Sequence, residues 1–87
     1  MNDKAKQFYD RSLTAETYSQ KLLCLYNAFF CLYGSEASKQ ASAICNSCEE
    51  EFNAAVEYAR EDSESKRVVL SESQIALLKN HLLTVLK

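Results

Sequence analysis

The residues best able to do chemistry in this chain are four cysteines, spaced C-x6-C-x13-C-x2-C at Cys24, Cys31, Cys45 and Cys48, and a single histidine, His81. Thiolates and imidazoles are the usual ligands of structural zinc, which takes four of them at tetrahedral corners. All four cysteines cannot serve one ion. Cys24 and Cys31 lie seven residues apart on one helical segment, so about 10.5 Å separates them along its axis. Thiolates bound at about 2.3 Å to a shared metal lie within about 4 Å of one another. A smaller set survives if the helices flanking Gly34 and Ser35 form an antiparallel hairpin. Position 24 then comes level with 45, and Cys24, Cys45 and Cys48 can converge with His81 into a Cys3His site. The competing reading makes them reduced, buried thiols that behave as small hydrophobes. A CxxC inside a helix lacks the tight knuckle that such zinc sites use. The buried-thiol reading is therefore preferred, and no cofactor is expected.

Redox chemistry at Cys45-Asn46-Ser47-Cys48 meets a second objection. A reactive thiolate needs a helix N-terminus or nearby positive charge. The motif falls inside a predicted helix and is followed directly by Glu49, Glu50 and Glu51, whose charges oppose a thiolate. One histidine excludes two-His metal sites, and its place near the end of the last helix suits a simple interaction with the helix dipole. The glutamates lack the inward Glu-x-x-His pattern of di-iron bundles and read as a solvated acidic face. With one Gly in the chain, no glycine loop can cradle a phosphate. The chain is not expected to be an enzyme.

What remains is surface for association. Leu22–Tyr33 reads LLCLYNAFFCLY and is apolar or aromatic everywhere except Asn27. A helix that is hydrophobic all round must be covered on every side. Five tyrosines, Tyr9, Tyr18, Tyr26, Tyr33 and Tyr58, with no tryptophan, offer apolar area with a polar tip, a combination enriched at interfaces. The candidate partner-binding set is Tyr18, Tyr26, Phe29, Phe30 and Tyr33.

The elements that must position these residues are all helical, since no stretch alternates with the two-residue period of a half-buried strand. A first, shorter helix over about 3–13, capped by Asn2 or Asp3, turns Ala5, Phe8, Tyr9 and Leu13 inward. Thr14 is the expected N-cap of a second helix, about 15–33, with Tyr18, Leu22, Leu25, Phe29 and Leu32/Tyr33 on one stripe and Leu23, Tyr26 and Phe30 beside it. Gly34 ends it as a left-handed residue, and Ser35 caps the next. A third helix, about 36–61, carries Ala37, Ala41, Ile44, Cys48, Phe52, Ala55 and Ala59 on one face. Small residues at 41, 55 and 59 would let a neighbouring backbone approach closely. Glu61–Arg67 reads as a polar connection. Ser71-Glu72-Ser73-Gln74 is a capping box, with Leu70 and Ile75 as a hydrophobic staple. It opens a last helix to about Leu86, with Ile75, Leu78, Leu82 and Val85/Leu86 inward.

These elements predict an all-α fold: one domain over residues 1–87, a small helical bundle of three long helices plus a shorter N-terminal one. An 87-residue chain buries only about 60–65% of the surface its unfolded form exposes, yet 47% of its residues are hydrophobic. Surplus apolar surface points to association, and a homodimer fits. With formal charge −2 and only Lys66-Arg67 adjacent among the basic residues, nothing forms the basic face that nucleic acid requires. The N-terminus lacks the apolar region of a secretory signal, and the 12-residue apolar run is short of the roughly 20 residues that span a bilayer. A cytoplasmic protein with reduced thiols is expected. Ser71–Gln74 followed by Leu77-Leu78-Lys79-Asn80 resembles the final helix of the four-helix immunity proteins that protect bacteria from pediocin-like bacteriocins. That resemblance implies a small inhibitor-type binding protein, and any capped, leucine-rich helix shares the pattern. The leading expectation is a module that binds another protein, as adaptor, chaperone or inhibitor. The alternative is a metal- or ligand-binding bundle at Cys24, Cys45, Cys48 and His81.

Overall fold

The computed structural model describes residues 3–61 and 70–86. Within them the chain forms α1 (Asp3–Thr14), α2 (Tyr18–Tyr33), a 3-10 turn (Gly34–Glu36), α3 (Ala37–Ile44), α4 (Glu49–Arg60) and α5 (Glu72–Val85), with no strand among the described residues. The Cα radius of gyration is 11.7 Å, close to the roughly 12 Å of a compact chain this long. No described helix is long and apolar enough to cross a membrane.

Helix α2 is the hub, touching α1, α3, α4 and α5. That explains its all-round hydrophobicity: Leu22, Leu25, Ala28 and Phe29 are all fully buried. Around them pack Ala37 and Ala41 of α3, Cys45, then Phe52, Ala55, Val56 and Ala59 of α4, and Leu70, Ile75, Leu78 and Leu82 at and after the start of α5. The anticipated small residues at 41, 55 and 59 are all interior, joined by Ala28 and Ala37. Alanines at these positions let helix axes come together near the short end of the usual 8–10 Å range.

Helix α1 buries Ala5 and Ser12, and Leu13 stays 53% exposed, contrary to its expected inward role. At about 100° per residue, Ser12 lines up with Ala5, Phe8 and Tyr9, and Leu13 falls roughly 90° away. The Ser12 hydroxyl donates to the Tyr9 carbonyl, so its burial leaves no unpaired group. Asn2 lies outside the described residues. The α2 cap is Thr17, not Thr14: the Thr17 side chain accepts from the Gln20 N–H at 3.1 Å. Thr14 instead ends α1, its hydroxyl donating back to the Arg11 carbonyl.

Gly34 ends α2 at φ 59°, ψ −129°, a region essentially reserved for glycine. Its N–H reaches the Phe30 carbonyl, and its own carbonyl accepts from Ala37 in the tight turn that follows. That i to i+3 bond does the work expected of Ser35, so α3 begins without a side-chain cap.

The expected helix over 36–61 is broken in two, which replaces the third long helix of the anticipated bundle with α3 and α4. Asn46 adopts φ 57°, and the Ser47 N–H bonds to the Ser42 carbonyl at 2.9 Å. This is a Schellman ending with Asn in the left-handed position usually held by Gly. Cys48 then caps α4, its sulfur accepting from the Glu51 N–H at 3.4 Å. Glu49, Glu50 and Glu51 are thus the first turn of a helix, where negative charge is favoured by the dipole. The inward face survives the break, since Ala37, Ala41, Phe52, Ala55 and Ala59 are all buried. Only Cys48 leaves it.

The start of α5 is as expected. Ser71 accepts from the Gln74 N–H at 3.2 Å, and Gln74 Oε1 accepts from the Ser71 N–H at 2.8 Å. Leu70 and Ile75 both lie in the core. The polar connection is outside the described residues beyond Glu61. Replacing Ser71 with Ala should lower stability by about 1 kcal/mol, read as a shifted denaturation midpoint at constant slope. An unchanged midpoint would mean that the box does not hold the helix start in solution.

Candidate functional site

The five expected partner-binding residues divide. Phe29 is 0% exposed, stacked on His81 with ring centroids 5.5 Å apart and tilted against Tyr33 at 5.8 Å. It is a core residue of the chain. Its position on the stripe of Leu22 and Leu25 already directed it inward. Phe30, one residue on, is 53% exposed. Tyr26 is half-buried between Phe52 and the Arg60 guanidinium, which lies 5.5 Å above its ring. Tyr33 is half-buried and shares a 2.7 Å hydrogen bond with His81 Nε2. Its hydroxyl is therefore occupied inside the molecule.

Tyr18 is exposed at its edge, and its hydroxyl accepts from the Leu70 N–H at 2.7 Å. That bond fastens the chain entering α5 to the start of α2. Burial raises the phenol above its ordinary value of 10.0, while the Leu70 N–H pulls the other way. A raised folded-state value means that Tyr18 contributes its stability fully below pH 10 and loses it as the pH climbs further. Tyr18→Phe leaves the buried Leu70 N–H without its acceptor, so a loss of about 1 kcal/mol is expected at neutral pH. The alkaline decline in stability should also become shallower. Denaturation at several pH values reads both effects, and an unaltered profile would place the phenol in water.

The cysteines and His81 do not assemble. Cys45 is buried, with its sulfur 3.1 Å from Ser47 Oγ; Cys24 is half-buried; Cys31 and Cys48 are exposed. His81 faces Tyr33 and Phe29. Among the described residues no three His, Cys, Asp or Glu side chains group where one metal ion could be held. The convergence expected of Cys24, Cys45, Cys48 and His81 fails because Cys48 is exposed as the cap of α4 while His81 Nε2 is engaged by Tyr33.

A cleft of about 440 Å³ lies between the N-terminal ends of α2 and α5, with Tyr18 and Ile75 among its walls. Glu16 and Glu72 oppose Lys21 and Lys79 around it. Two charges of each sign leave no net preference for an anion or a cation.

The surface that stands apart is the outward face of α5: Ser73, Ala76, Leu77, Asn80, Leu83 and Thr84, all exposed and none charged. Leu77 is 39% and Leu83 49% exposed. Glu72 at the start of the helix is exposed as well and Lys79 is half-buried beside the strip, whereas α1, α3 and α4 carry charge within their exposed faces, such as Lys4, Lys39 and Glu50. The signal was present in the sequence. Leu77-Leu78 and Leu82-Leu83 are adjacent pairs, and neighbours about 100° apart on a helix cannot both point at the core. Assigning Leu78 and Leu82 inward therefore commits Leu77 and Leu83 to the surface.

No family model, curated protein or solved structure matches this chain.

Proposed function

We propose that this chain is a small helical protein-interaction module that acts by binding another protein, as an adaptor, dedicated chaperone or inhibitor. What supports this reading is the outward face of the 14-residue α5, where Leu77 and Leu83 are exposed beside the uncharged Ser73, Ala76, Asn80 and Thr84, with Glu72 and Lys79 at its margins. A helix of that length is about 21 Å long, enough to present a continuous strip to a partner. Uncharged apolar surface of this kind has a standing free-energy gain on being covered. Phe30, Tyr26 and the edge of Tyr18 form a second, more dispersed set on α2. The binding reading is favoured over a catalytic one by the Tyr33–His81 hydrogen bond, which engages the histidine inside the molecule.

The test is affinity capture from the native host with the wild type and with Leu77→Glu/Leu83→Glu. Both positions are exposed, so the double variant should keep the wild-type circular dichroism and melting curve. A stoichiometric partner held by the wild type and lost from the folded variant is expected. Equal capture by both proteins would remove α5 from the reading.

A further inference from the structure

We draw no further inference here: the strongest candidate, the cleft of about 440 Å³ between the N-terminal ends of α2 and α5, carries nothing, because Glu16 and Glu72 oppose Lys21 and Lys79 around it and nothing in the structure shows what would occupy it.

Discussion

Replacing Phe29 with Ala is expected to destabilise the protein by about 3–5 kcal/mol, the range for truncating a fully buried aromatic. The ring is completely enclosed, at the junction of α2 and α5, with His81 stacked on it and Tyr33 against its edge. Removing it opens a cavity and takes the apolar support from under the Tyr33–His81 hydrogen bond. Folded domains have only about 5–15 kcal/mol to lose, and small domains lie toward the lower end of that range. The variant should show a much lower denaturation midpoint, with a melt shifted by tens of degrees or lost. Phe30→Ala, one residue away but half-exposed, should fall within about 1 kcal/mol of wild type, as exposed positions generally do. Similar effects at 29 and 30 would mean that α2 is rotated relative to its neighbours.

Enlarging Ala41 to Leu is the second change with a large expected effect, about 1–3 kcal/mol of destabilisation. Ala41 is fully buried on α3 and lies in one core cluster with residues of α2, α4 and α5. Three added carbons have no space unless α3 moves away from α2. Ala43→Leu, on the exposed side of the same helix, adds the same three carbons to open surface, so it should leave stability almost unchanged. Chemical denaturation of the pair separates close packing from surface tolerance. A neutral Ala41→Leu would show that the α2–α3 contact is looser than the structure has it.

Much of this architecture is legible in the residues themselves. Ser71 and Gln74 announce α5 because a capping box is local chemistry, complete within four residues. Leu22, Leu25, Ile75, Leu78 and Leu82 are correctly inward because helical periodicity is also local. The break at Cys45–Cys48 is harder to see, since it depends on Asn46 taking the left-handed conformation that glycine usually supplies. An unbroken apolar face across 36–61 conceals it, for each half continues the stripe of the other. The expectation of Thr14 as the cap of α2 fails for a related reason: Thr17, three residues on, is an equally sound cap, and local chemistry does not rank the two. Of the candidate surface on α2, Phe29 is interior. Four neighbouring helices cover most of α2, and the apolar residues left outside include Leu77 and Leu83 on α5 as well as Phe30 on α2.

Covered leucines and exposed leucines differ in what can reach them, and leucine methyl spectra read that division directly. With the chain labelled at its leucine methyls, addition of the captured partner should move Leu77 and Leu83. Leu22 and Leu25 should stay where they are. Shifts confined to other methyls, with Leu77 and Leu83 stationary at saturation, would contradict the assignment of α5 as the binding face.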